Sequence, residues 1–92
     1  MKQDYLVRWS EMARFQLLDK AEYIAMQSQD NIVGEKFLSE IESLSEKLGF
    51  IADAYDDGQF HLFPLKNGHS VKFIVIAEYV FIYSFLPKGA NH

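Results

Sequence analysis

Leu65-Lys66-Asn67-Gly68-His69-Ser70-Val71-Lys72-Phe73-Ile74-Val75-Ile76 is the stretch that decides the fold. Asn-Gly suits the positive backbone angles of a tight hairpin turn, so residues 60–65 and 70–76 are expected to pair antiparallel. Val71, Phe73 and Val75 share one face of the later strand, and Ser70, Lys72, Ile74 and Ile76 the other. Pro64 has no amide hydrogen and places the first partner at a sheet edge or bulge. Ala77-Glu78 then makes a second tight turn into Tyr79–Leu86. That strand alternates Tyr79, Phe81, Tyr83 and Phe85 with Val80, Ile82, Ser84 and Leu86. Two apolar faces predict a central strand covered on both sides, by helices on one and by loops, a chain end or a partner on the other. Core packing is therefore the expected role of its aromatic row.

Upstream of the hairpin, the period changes to that of helices. Tyr5–Trp9 reads as a short strand, with Trp9 anchoring the edge of the core and Ser10 capping a helix. Ala13, Leu17, Ala21, Ile24 and Ala25 form an apolar stripe on a helix ending near Gln27 or Ser28. Asp30 or Asn31 caps a second helix, whose stripe is Val33, Phe37, Ile41, Leu44 and Leu48, with Gly49 as its stop. A short link forces the two helices antiparallel, and their joint apolar face needs another layer. Phe50–Gly58 reads as a loop by its acids and glycine. The expected architecture is α+β, in the order β-α-α-β-β-β, a helical hairpin packed on a small curved, mainly antiparallel sheet.

The chain has 92 residues, 49% of them hydrophobic, so residues 1–92 are expected to form one domain with its own core. It has no cysteine, which excludes a disulfide frame, a thiolate metal site and a cysteine nucleophile. Met1-Lys2-Gln3-Asp4 has neither the basic segment nor the apolar run of a signal peptide, and no run is long enough to span a bilayer, so a cytoplasmic protein is expected. Both ends, Met1–Asp4 and Pro87–His92, are expected to be mobile unless a partner orders them. A formal charge of -4 argues against a protein that lives on phosphate backbones. From Gln59 onward, however, Lys66, Lys72 and Lys88 face only Glu78.

Val7-x-Trp9-Ser10-x-x-Ala13, Leu17 followed by Tyr23-Ile24-Ala25, Phe37-Leu38-x-x-Ile41 and the strands Val71–Val75 and Val80–Ile82 together resemble the RelE/ParE superfamily of type II toxins. The resemblance covers nearly the whole chain and rests mostly on structural positions. It implies one of two activities: RelE-like members cut messenger RNA on the ribosome, and ParE-like members poison DNA gyrase without cutting. Tyr23-Ile24-Ala25 before a short link resembles the ParE branch. The RelE pattern lays its basic pair on His61 and Phe63, its strand arginine on Ser70 and its late arginine near Ala90, and its terminal helix with a tyrosine has no counterpart. The ParE pattern lays its arginines on His61 and Ile74 and its histidine on Pro87, leaving Lys88 and His92 as charge near the end.

The expected function is thus a ParE-like toxin of a plasmid-stabilising bacterial toxin–antitoxin pair, non-enzymatic, acting on DNA gyrase and neutralised by a cognate antitoxin. A homodimer or a toxin–antitoxin hetero-oligomer fits it equally. The alternatives are a RelE-like ribonuclease using His61 with Lys66, Lys72 or Tyr83, and a non-toxic family member serving as a binding module. His61, Lys66, His69, Lys72 and Lys88 are the target-binding candidates, and His61 is the one catalytic candidate. No cofactor is implied. Three separated histidines without metal-ligand spacing, and Asp53, Asp56 and Asp57 without the alternation of a calcium loop, imply no metal. Ser10 lacks the context of a nucleophile and reads as a cap.

Overall fold

The structure, a computed structural model, describes residues 5–88. The expectations placed on Met1–Asp4, on the position near Ala90 and on His92 lie outside the described residues. The elements are β1 (Leu6–Trp9), α1 (Glu11–Ser28), α2 (Asn31–Glu46), α3 (Leu48–Ile51), β2 (His61–Pro64), β3 (Ser70–Ile76) and β4 (Tyr79–Leu86). The four strands form one open mixed sheet in the order β1-β4-β3-β2, with β1 parallel to β4 and the other pairs antiparallel. With α1 and α2 packed on one side, the fold is the expected α+β.

Ser10 joins the layers. Its hydroxyl accepts from the Ala13 N–H at 3.0 Å, which caps α1, and donates to the Tyr83 carbonyl at 2.8 Å. Its own N–H reaches the Ile82 carbonyl at 2.9 Å, so α1 begins anchored to the middle of the sheet. At the far end Gln29 takes a left-handed conformation, φ 57°, and Asp30 accepts from the Ile32 N–H at 2.9 Å to start α2. The two-residue reversal makes the hairpin antiparallel, as the short link requires.

The seam between the helices departs from expectation. Val33 is exposed and Leu44 only half-buried, while Gly34 and Ser45, next to them, are buried, and Gly34 is the one that meets α1. A Cβ on Gly34 would lie 2.9 Å from the Ala21 carbonyl and 3.0 Å from the Ala25 Cβ, so the backbones approach more closely than bulky side chains permit. Gly49 is likewise not the stop of α2. It sits buried inside α3, where an added Cβ would be 2.6 Å from the Tyr5 carbonyl, and its own carbonyl accepts from the Tyr5 N–H at 3.0 Å. The expected loop from Phe50 is therefore helical in its first half: α3 runs on into a 3-10 turn, Ala52–Tyr55, whose Ala52 is fully buried.

The hairpin forms as read. Asn67 (φ 61°) and Gly68 (φ 84°) supply the two positive angles, and Pro64 lies on the edge strand opposite Ser70. Val71, Phe73 and Val75 are buried against the helices with Leu17, Ile41 and Leu48. Each such large side chain taken from water contributes about 1.5–3 kcal/mol.

In β4 the alternation breaks. Lys72 pairs with Ser84 but Phe73 pairs with Ile82, so Tyr83 is the extra residue of a bulge and the phase beyond it shifts. Val80, Ile82 and Phe85 enter the core, while Tyr79, Phe81 and Tyr83 stay 39%, 37% and 42% exposed. Among the described residues no loop covers the second face of β4, and only Phe85 of the aromatic row packs in the core, so the expected core role fails for Tyr79, Phe81 and Tyr83. The bulge is held from α1, since the Phe85 N–H donates to Gln16 Oε1 at 2.9 Å while Ser10 takes the Tyr83 carbonyl.

Candidate functional site

The residues singled out by sequence occupy four separate places. His61 stands on the edge strand, its ring 5.0 Å from Tyr55 and 5.8 Å from Phe73, with Nε2 at 2.9 and 3.0 Å from the two Asp57 carboxylate oxygens. The hydrogen bond from His61, joined by the Gln59 N–H at 3.0 Å, holds the Asp57 carboxyl below the usual carboxylate range. With Nε2 committed to Asp57, proton transfer by His61 would fall to Nδ1.

Lys66 lies at the hairpin turn, 2.9 Å from Glu40 of α2, an exposed pair worth little to stability. His69 is almost wholly buried, between Phe37 at 5.4 Å and Phe85 at 5.6 Å. Its Nδ1 accepts from the Lys88 N–H at 2.8 Å, which fixes a neutral ring protonated on Nε2. Burial, and then the charges of Lys20 and Lys88, push the imidazole below its ordinary value. The Lys88 side chain runs over Gly68, so His69 and Lys88 together clamp the segment after β4 to the hairpin turn.

Lys72 is on the face opposite His61. His61 pairs with Phe73 and Leu62 pairs with Lys72, and alternate positions of a strand point to opposite sides. Lys72 instead meets Tyr83 and Phe60, its Nζ 5.1 Å from the Phe60 ring centre and 5.8 Å from that of Tyr83. Of the catalytic set His61, Lys66, Lys72 and Tyr83, only Lys72 and Tyr83 come together.

What sequence reasoning missed is the surface on which they meet. The uncovered side of the sheet carries Leu6 and Arg8 of β1, Tyr79, Phe81 and Tyr83 of β4, Lys72, Ile74 and Ile76 of β3 and Leu62 of β2, with Phe60 beside them. The Arg8 guanidinium lies over the Tyr79 ring at 5.3 Å, and an open cleft of about 350 Å³ is lined by Arg8, Ile76, Tyr79 and Phe81. None of these positions is acidic. The signal was present in the alternation itself: Val80 and Ile82, compact and β-branched, suit the side beneath the helices better than the larger rings, and Arg8 and Lys72 share the phase of those rings.

At the other end of β1 the Tyr5 hydroxyl donates to Asp53 at 2.7 Å, with Asp56 3.4 Å away. That hydrogen bond, reinforced by the carboxylate charges, pushes the phenol up from 10.0 to about 12. Among the described residues no group of three or more His, Asp or Glu side chains is placed to hold a metal ion, and no helix is long and apolar enough to cross a membrane.

No known family profile matches the sequence, and no curated protein matches it. A solved chain of the "Chromosomal ParDE TA system from P. aeruginosa" is similar in structure at a TM-score of 0.79, with 14% sequence identity, over 91% of this chain and 96% of that one. At that identity the likeness establishes a shared fold.

Proposed function

We propose that this chain is a ParE-like toxin of a type II toxin–antitoxin pair, a single domain that inhibits DNA gyrase in the bacterial cytoplasm and is silenced by a cognate antitoxin. The observation that carries the reading is the fold shared with the ParDE chain along almost its entire length. Two features support it. The basic and histidine candidates are dispersed, so the general acid, general base and phosphate clamp of a metal-free ribonuclease do not converge. The open sheet face and the exposed Met12, Phe15 and Leu18 of α1 leave apolar surface of the kind that a partner folding on contact covers.

Supercoiling by purified gyrase tests the target: inhibition is expected, and unchanged activity at large molar excess removes it. Growth arrest on expression, relieved by co-expression of a cognate antitoxin, separates a toxin from a non-toxic binding module. A homodimer and a toxin–antitoxin hetero-oligomer both fit this reading, and the mass in solution with and without the antitoxin distinguishes them.

One observation favours the RelE-like alternative, namely Lys72 over Tyr83 on the open face. Ribosome-dependent message cleavage lost in Lys72→Ala or Tyr83→Phe would establish it, and His61→Ala would then have little effect.

A further inference from the structure

The uncovered sheet face has an asymmetry that its apolar character alone does not explain. Its two charges are both cations, each held over an aromatic ring: Arg8 on Tyr79, and Lys72 between Phe60 and Tyr83. In a chain of formal charge -4, every strand position on this side is free of carboxylates. Neither cation has a salt-bridge partner among the described residues.

Their spacing follows from the register. Arg8 lies opposite Phe81, and Phe81 opposite Ile74, which puts Arg8 two strands across and two residues along from Lys72. With strands ~4.8 Å apart and a rise of ~3.3 Å per residue, their Cα atoms are about 12 Å apart on the diagonal. The Arg8 guanidinium leans toward Tyr79, away from Lys72, so the charged ends stand wider than that. Between the two cations the surface is apolar, centred on Phe81.

We infer that this face is the docking site of an acidic amphipathic peptide segment, apolar in its middle, with a carboxylate toward each end, one meeting Arg8 and the other Lys72. An extended segment spans the underlying Cα separation in about four residues and a helix in about eight, from rises of ~3.3 and ~1.5 Å per residue, so the paired carboxylates stand at those spacings or wider. The inference deepens the toxin–antitoxin reading, on which it rests for the natural source of the segment.

Single-stranded nucleic acid is the competing occupant, because exposed rings also stack bases. The face favours the peptide. Affinity for a polyanion grows with the number of phosphates neutralised, and two cations neutralise few. The exposed Ile76 and Leu62 offer bases nothing to stack on.

The test is selection of displayed random 20-residue peptides on the intact protein. Enriched peptides are expected to be apolar with paired carboxylates at the spacings above. A synthetic copy should bind Arg8→Glu/Lys72→Glu at least 10-fold more weakly and Phe81→Ser comparably so, and its Glu-to-Lys counterpart should recover binding to the charge-reversed protein. All three positions are at the surface, so unchanged thermal melts certify the folds. Enrichment without carboxylates, affinity indifferent to these substitutions, or tighter binding of a 20-residue oligo(U) that the same substitutions abolish would each overturn the inference. Growth arrest without acidic-peptide enrichment sinks this inference alone, and enrichment by a protein that arrests nothing sinks only the toxin reading.

Discussion

Replacing Gly49 by Ala isolates a contact on which β1 depends. In α3 the new Cβ would stand 2.6 Å from the Tyr5 carbonyl oxygen, where ordinary contact begins at 3.4 Å, and the obstacle is backbone rather than a flexible side chain. The strand must retreat, and the Tyr5 N–H bond to the Gly49 carbonyl at 3.0 Å is lengthened or lost. Overpacking of this kind costs about 1–3 kcal/mol, and one neutral hydrogen bond about 1 kcal/mol. Alanine's better helix propensity returns at most about 1 kcal/mol, so the net loss is about 2 kcal/mol. For a domain of this size each kcal/mol moves Tm by about 4–8 °C, so the melt should fall by about 8–16 °C. Circular dichroism at 222 nm reads it directly. Gly34→Ala is the companion, with a milder approach of 2.9 Å and a full helical environment for the propensity gain, and its loss should be smaller. If Gly49→Ala melts at or above the wild-type temperature, the close-approach reasoning is wrong.

Gln16→Ala leaves the buried Phe85 N–H without its side-chain acceptor, and an unsatisfied buried donor costs about 1–3 kcal/mol, readable as a lower urea midpoint at unchanged slope. His69 is depressed below its usual ~6.5, so the folded protein holds fewer protons there than the unfolded chain. Its contribution is complete above ~6.5 and is lost as pH falls through the depressed value. Urea midpoints taken downward from neutral pH should therefore drop more steeply in wild type than in His69→Gln, and exchange of the Lys88 amide should accelerate with them; parallel pH profiles would refute the clamp. Tyr5 runs the other way: its stabilisation is present below 10.0 and is lost as pH rises through about 12. Subtracting the spectrophotometric titration of Tyr5→Phe from that of wild type should leave a step near 12, and a step at 10.0 contradicts the pairing with Asp53.

The parts of the fold legible in the sequence are those governed by local chemistry. The Asn67-Gly68 angles, the Ser10 and Asp30 caps, the edge position of Pro64 and the inward phase of Val71, Phe73 and Val75 each follow from one residue type or one period. The parts not legible depend on a neighbour distant in sequence. Gly34 replaces Val33 in the helix seam because α1 comes close, and hydrophobicity alone picks the bulkier residue beside the gap. Gly49 signals a stop when read alone, and only the Tyr5 carbonyl shows why glycine is needed. The bulge at Tyr83 is the largest case, because its polar groups are met by Ser10 and Gln16 from the other end of the chain. A shift of one residue there decides which rings enter the core and which form the open face.

The dispersal of the candidate catalytic residues is fixed at the same level. His61 lies opposite Phe73, and Lys72 opposite Leu62, so the two side chains leave the sheet on opposite sides. No rotamer change brings them together, since the side-chain period of a strand is two and only a one-residue slip exchanges its faces. Such a slip of β2 would turn His61 outward to the side of Lys72 only by breaking both Asp57 bonds and its ring contacts with Tyr55 and Phe73. A slip of β3 would bring Lys72 inward but expel Val71, Phe73 and Val75, each of them buried, at about 1.5–3 kcal/mol apiece. Cleavage drawing on Lys72 and Tyr83 would therefore act on the open face, where Arg8 also lies, without His61, and this separates the ribonuclease alternative from the form in which the sequence first suggests it.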